Sequence, residues 1–319
     1  MRLRRRHILI YVLAISAICL LVVFQSYDKY SRNKTINNKN KQVIEKHLSD
    51  EDKKFLIDNN INAELFMPFI KEKGFKIENY EYYNIIYQYN KKLDKSEIVE
   101  KGNKLVEEEF TLNALKNIFK NKLYTLDQLI ELAINPSPYY ASAKPEFYPN
   151  NAYALSNVNY YIADYKPSDL VLINVKYTKN NKKMYLKEEA NNQLNLMCDN
   201  LKLLTKKECG GLKIEYGFLS YDYILKNQKS LGSFNKPGHS DFQLGKTISF
   251  TNSKDFDKNS LYLWLLDNSY RYGFIQRYPD SKAEITGVIN QSGVFRYVGV
   301  EQAKGMVQDQ KSVEEKRGE

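Results

Sequence analysis

The sequence predicts an α+β domain, helices on a small antiparallel sheet, preceded by a small helical segment and one amino-terminal transmembrane helix. Three observations predict it. An uncharged apolar run, Ile8–Phe24, follows a basic flank; apolar residues recur at three- and four-residue spacing between 43 and 135; and from Asn159 short β-rich pieces alternate with helical ones. A chain of 319 residues with 43% hydrophobic content can fill one large core or two modest ones, which excludes disorder throughout.

Arg2, Arg4, Arg5 and Arg6 form a basic tail (1–7) ahead of the apolar run. At about 1.5 Å per residue the run 8–24 approaches the thickness of a bilayer core, so it reads as a membrane anchor. The positive-inside rule then places the tail in the cytoplasm and the bulk of the chain outside. A cleaved signal peptide is the rival reading, but no small-x-small site follows in VVFQSYDK. Residues 25–42 contain almost nothing that could enter a core and read as a hydrated linker.

The helical segment is expected over 43–135. Ser49 caps one helix through its hydroxyl, and a second is expected over Ala63–Lys73, with Pro68 near a break and Gly74 as its stop. Tyr80, Tyr83, Ile86 and Tyr87, then Leu105, Leu112, Leu115 and Phe119, form stripes that belong to a core and not to a cofactor box. Thr125 with Gln128 is a capping box that opens Leu126–Ile134, and Asn135-Pro136 closes it. Four of the 8 prolines fall in 136–149, which reads as a spacer between modules.

The α+β domain is expected over 150–305, with a polar tail at 306–319. Strands are expected at Leu170–Val175, Lys213–Phe218, Thr247–Thr251 and Gly293–Val298, and helices at Leu186–Leu204, Tyr221–Lys229 and Ser260–Tyr270. Of three cysteines, Cys19 lies in the apolar run, leaving Cys198 and Cys209 as two free, buried thiols, the favoured reading, or as a disulfide between a helix end and a strand start. The net charge of +10 suits an anionic partner. Nucleic acid is excluded, because no basic stripe follows an aromatic ladder; the 26 tyrosines reflect codon usage. There is no G-x-S-x-G elbow and no phosphate-cradling glycine loop.

Five phrases carry a resemblance: YYIADYKPSDLVLI (160–173), GFLSYDY (217–223), PGHSDFQLG (237–245), YGFIQRYP (272–279) and FRYVG (295–299). In this order they resemble the VanY-type D-Ala-D-Ala carboxypeptidases, zinc peptidases that share a fold with the hedgehog signalling domain. The likeness covers 157–300, and LIDNNINAELFMPFI (56–70) also resembles a segment that precedes the domain in some relatives. It implies a hedgehog/DD-peptidase-like fold, a bacterial membrane location and peptidoglycan as the working environment.

The family holds zinc with the His and Asp of S-x-H-x-x-G-x-A-x-D and the His of a downstream E-x-x-H, whose Glu is the general base. On this chain Ser240 and Gly245 are retained, but Phe242 stands at the first ligand position, Ser249 at the second and Val294 at the third. Gln291 replaces the base, and Leu219 replaces the arginine that grips substrate. Phenyl and isopropyl groups have no donor lone pair, a neutral hydroxyl is a poor zinc ligand, and an amide takes no proton from water near neutral pH. The resemblance therefore implies a pseudoenzyme with no cofactor, zinc being expected for the family but its ligands absent. A degenerate cleft is expected from Leu219, Ser220, His239, Ser240, Asp241, Phe242, Ser249, Gln291, Val294 and Arg296. The chain has only three histidines, His7, His47 and His239, and His239 matches a position that is not a ligand; it is expected to hydrogen-bond to backbone. Ser240 beside His239 and Asp241 resembles a triad in letters only, since a triad needs convergence in space.

The expected function is a membrane-anchored, inactive carboxypeptidase-like protein that binds peptidoglycan stem peptide, an anionic wall polymer or an envelope protein. One alternative is an active peptidase with non-standard ligands such as Asp241, Asp255 or Asp280. A structural subunit of an envelope complex is the other.

Overall fold

A computed structural model describes residues 40–134, 137–232, 235–251, 260–289 and 291–318. They form two compact units that divide between Leu112 and Asn113.

The first unit is helical: α1 (Lys41–His47), α2 (Asp50–Asp58), α3 (Ala63–Phe66), α4 (Tyr80–Tyr89) and α5 (Lys95–Glu107). Ser49 caps α2 in a reciprocal box with Asp52, satisfying two otherwise orphaned N–H groups. The helix expected over 63–73 stops after Phe66, because Pro68 cannot continue it, and Phe69 and Ile70 reach the core from turns. Asn103 on α5 takes the Tyr83 hydroxyl at 2.6 Å and donates to the Gly74 carbonyl at 2.8 Å, tying α4, α5 and the turn between α3 and α4 together.

The second unit opens with α6 (Leu112–Lys120) and α7 (Leu126–Ile134), then β1 (Lys144–Pro145), β2 (Tyr160–Tyr161), β3 (Leu170–Leu172), β4 (Tyr185–Lys187) and the long α8 (Glu188–Thr205). It continues through β5 (Ile214–Tyr216), α9 (Tyr221–Leu231), β6 (Thr247–Phe250), α10 (Ser260–Asn268), β7 (Phe274–Gln276), α11 (Ala283–Thr286), β8 (Val294–Tyr297), α12 (Val300–Asp309) and α13 (Val313–Arg317). This is the expected α+β architecture: the central sheet runs β5-β6-β8-β7, antiparallel throughout.

Side chains alternate across a strand, so the register sorts the sheet into two faces. Ile248, Phe250, Phe295 and Tyr297 fall on one and pack with Leu194, Met197, Cys198 and Leu201 of α8 as the main core. Thr247, Ser249, Val294 and Arg296 fall on the other, with Ser249 directly opposite Val294 and Thr247 opposite Arg296. Cys198 and Cys209 are joined as a disulfide between α8 and the turn before β5, so the favoured reading of free thiols is corrected.

Residues 137–149 are part of this unit and not a spacer outside it. Glu146 is fully buried, accepting from the backbone of Tyr148 and Leu155, and the Tyr124 hydroxyl donates to its carbonyl at 2.7 Å. The expected polar tail likewise contains the end of α12 and all of α13, with Met306 and Val313 in a core with Leu155, Ile275, Val298 and Ala303.

The membrane expectation is corrected. Among the described residues no helix is long and apolar enough to cross a membrane; the longest, α8, carries Glu188, Glu189, Asp199 and Lys202. The run expected to span, residues 8–24, lies outside the described residues. The expected anchor helix, and the membrane partner and membrane location that followed from it, are supported by no described helix.

Candidate functional site

The sheet face that carries Ser249 and Val294 meets the turn Asp241–Leu244. That turn ends at Gly245, whose φ of 70° is left-handed, and a Cβ there would lie 2.9 Å from Pro167 Cγ. Only glycine fits both demands. The turn delivers Phe242 into an apolar cluster with Leu219, Ile224, Leu231, Tyr278, Val288 and Val294, and the Tyr216 and Phe242 rings meet edge to face at 6.2 Å. Three of the sequence-selected residues, Leu219, Phe242 and Val294, are thus brought together as hydrocarbon. Ser249 borders them, half-buried, and its hydroxyl reaches only its neighbour's carbonyl, Phe250 O, at 3.4 Å. Half-buried Gln291 contributes its backbone carbonyl to the Val294 N–H at 3.1 Å.

His239, Ser240 and Asp241 are all buried, yet they serve three different places. The His239 ring hydrogen-bonds the Asn157 carbonyl through Nδ1 at 2.6 Å and the Ser137 hydroxyl through Nε2, and it stacks on Tyr161 with centroids 5.1 Å apart. Burial pushes this imidazole below its usual range, against the pull of the Asn157 and Tyr160 backbone. A neutral ring donates at Nδ1 and accepts at Nε2, which is what its two partners require. Ser240 Oγ donates to Asn235 Oδ1 at 2.6 Å. Ser220 caps α9 by accepting from the Tyr223 N–H at 3.2 Å.

Asp241 is the centre of a buried charge network. Its carboxylate takes Arg296 Nη1 at 2.7 Å, Arg277 Nε at 3.1 Å and the Thr247 hydroxyl. Arg277 forks onward to Glu314 at 2.8 and 3.0 Å and lies 4.6 Å over the Tyr278 ring. Arg296 Nη2 donates to the Ala152 carbonyl at 3.1 Å, while its Nε has no hydrogen-bond partner. Burial alone would push the Asp241 carboxyl up; Arg296 and Arg277 beside it, with the Thr247 hydroxyl, overcome this and hold it below the ordinary carboxylate range. Two arginines face two carboxylates, so the network is neutral and its charges are compensated away from water. Sequence reading selected Asp241 and Arg296 as cleft residues but passed over Arg277, Thr247 and Glu314. Arg277 lay within YGFIQRYP, and no local pattern pointed to its partners 36 and 37 residues away.

Among the described residues no group of three or more His, Cys, Asp or Glu side chains is placed to hold a metal ion. Asp255, named as a substitute ligand, lies outside the described residues. Asp241 is engaged by two arginines.

Comparison with known proteins bears on this face directly. The family model described as "VanY: D-alanyl-D-alanine carboxypeptidase" matches residues 182–300. Residues 182–300 are similar to this family. The match runs from β4 to the amino terminus of α12 and so takes in the central sheet, the turn and the apolar cluster.

Named proteins agree with this relation. The chain is 35% identical over 181 residues to the putative carboxypeptidase YodJ of Bacillus subtilis (strain 168), which is 50% of this chain and 64% of the relative. It is 48% identical over 68 residues to a D-alanyl-D-alanine carboxypeptidase of Enterococcus faecalis, 21% of this chain and 25% of the relative. Less than two thirds of either relative's length is therefore matched. The LdcB LD-carboxypeptidase structure, described as revealing the basis of peptidoglycan recognition, is 30% identical with a TM-score of 0.48, over 54% of this chain and 88% of that one. Within the matched residues, Gly245 and Ser240 serve the turn, and Leu219, Phe242 and Val294 serve the apolar cluster.

Proposed function

We propose that the VanY-like unit is a zinc-free, non-hydrolytic domain that binds peptidoglycan stem peptide without cleaving it. The observation that carries this reading is the packing of Leu219, Phe242 and Val294 into one apolar cluster, at the positions the resemblance gives to the substrate arginine and two zinc ligands. Zinc does not fit these residues. A catalytic site needs about three protein donors and an open position for water, whereas here two of three side chains offer no lone pair and the third is a hydroxyl. Gln291 supplies no base at the remaining position. The binding half of the proposal is supported by the relation to proteins named for action on D-alanyl-D-alanine and by the framework that keeps the turn and sheet face in place.

The test uses the full chain, loaded with excess zinc and dialysed, then assayed for bound metal, D-alanine release from a stem pentapeptide and co-sedimentation with peptidoglycan sacculi. We expect no stoichiometric zinc, no D-alanine and saturable co-sedimentation. Stoichiometric zinc with D-alanine release would refute the non-hydrolytic half. Protein that stays in solution beside sacculi would refute the binding half.

A further inference from the structure

A second concavity of the VanY-like unit shares no residue with the apolar cluster. It is a cavity of about 380 Å³ at the junction of β4, α8, the start of β6 and the amino terminus of α12, lined by Lys187, Glu189, Lys246, Tyr297, Gly299 and Gln302 among others. Three features make it a site and not a packing defect.

Lys246 is only 6% exposed, and its ammonium donates to the Asn150 and Asn151 carbonyls at 2.7 and 3.0 Å. It makes no ion pair among the described residues, so a buried amine lines the cavity with no carboxylate in direct contact. An uncompensated buried charge is costly, and sequences retain one mainly where a ligand or reaction uses it. Burial, with Arg296 and Lys187 nearby and against Asp241 and Glu189, draws its ammonium down to about 7.

The opposite charge stands at the rim. Glu189 is exposed and also lacks an ion pair among the described residues; its Oε1 is oriented by the Tyr297 hydroxyl at 2.5 Å. Lys187 is already matched by Asp169 at 2.6 Å, so the two charges left over are one amine within and one carboxylate outside. Gly299 places the amino terminus of α12 at the same cavity with no side chain capping it, which adds positive potential on the side of Lys246.

We propose that this cavity binds a small zwitterion of the α-amino-acid class, its carboxylate against Lys246 and its ammonium against Glu189. A carboxylate alone satisfies the lysine but is repelled by the rim; an amine alone satisfies the rim but leaves Lys246 unmatched. The volume admits an amino acid with a short side chain together with ordered water.

The experiment measures binding of alanine, propionate and ethylamine to the full chain by calorimetry at low ionic strength, for wild type, Lys246→Met and Glu189→Gln. Wild type is expected to bind alanine saturably and at least about tenfold tighter than either single-charge analogue, since a charged hydrogen bond is worth roughly one decade. Glu189→Gln, a rim change that burial does not penalise, is expected to weaken alanine about tenfold and leave propionate unchanged or improved. Lys246→Met is expected to abolish alanine binding while leaving the near-ultraviolet circular dichroism unchanged. No saturable alanine binding by wild type, equal binding of propionate and alanine, or full affinity in Glu189→Gln would each overturn the proposal. Sacculus co-sedimentation is read separately, because Glu189→Gln leaves the apolar cluster untouched.

Discussion

Individual side chains in this unit do structural work where the letters suggested chemistry. Asp241 is the clearest case: a carboxylate between two buried arginines is indispensable to them, because removing it leaves Arg296 with no carboxylate and Arg277 with Glu314 alone. Asp241→Asn is expected to cost about 3–5 kcal/mol in urea unfolding. The same carboxyl is held below its ordinary 3.8, so its contribution is complete above that pH and is lost as pH falls through the lower folded value. His239 behaves with the same sign at milder pH. Its imidazole is held below the ordinary 6.5, so the unfolded chain binds the proton more readily and stability falls as pH drops below about that value. Urea midpoints at pH 7.5 and 5.5 should therefore separate for the wild type and separate less for His239→Gln, the remainder belonging to Lys246, whose lowered ammonium acts with the same sign.

Secondary elements explain why the face of the sheet is closed. The β6–β8 ladder sets Ser249 against Val294, and the Gly245 turn sets Phe242 against Val294; the convergence of these positions is a property of backbone, independent of side-chain identity. A variant carrying Phe242→His, Ser249→Asp, Val294→His and Gln291→Glu is thus expected to gain stoichiometric zinc by metal analysis, and to unfold more readily than wild type without metal, since it exchanges hydrocarbon contacts for buried polar groups. Failure to gain zinc would mean that the turn and ladder no longer hold the positions together. At the opposite face, the Cys198–Cys209 bridge ties α8 to the turn before β5 across a separation of 11 residues. Cys198→Ser with Cys209→Ser should lower stability by roughly 2–4 kcal/mol, measured against the untreated wild type.

At the scale of the molecule, the sequence was most legible where periodicity was long or motifs contiguous. The long helix α8, helix α9, the Thr125–Gln128 box and strands β5, β6 and β8 were readable because their signals lie within a few residues. Strand β4 was hidden at the threshold of the helix expected from Leu186, and β7 lay inside YGFIQRYP directly after another helix. The incorporation of 137–149, of the end of α12 and of α13 was illegible for a different reason. Prolines and charges read locally as spacer and tail, whereas the contacts that bind them, His239 to Ser137 and Glu314 to Arg277, are set by distant partners. The site was readable as a list of positions; that Leu219, Phe242 and Val294 touch, while Asp241 turns away to arginines, was a fact of three dimensions. Glu314 also has a bearing on biogenesis. Arg277 takes its bidentate carboxylate from Glu314, 37 residues further along the chain, so the buried network is complete only once α13 has been made and docked. Before then Arg277 has only the Asp241 carboxylate, which it shares with Arg296.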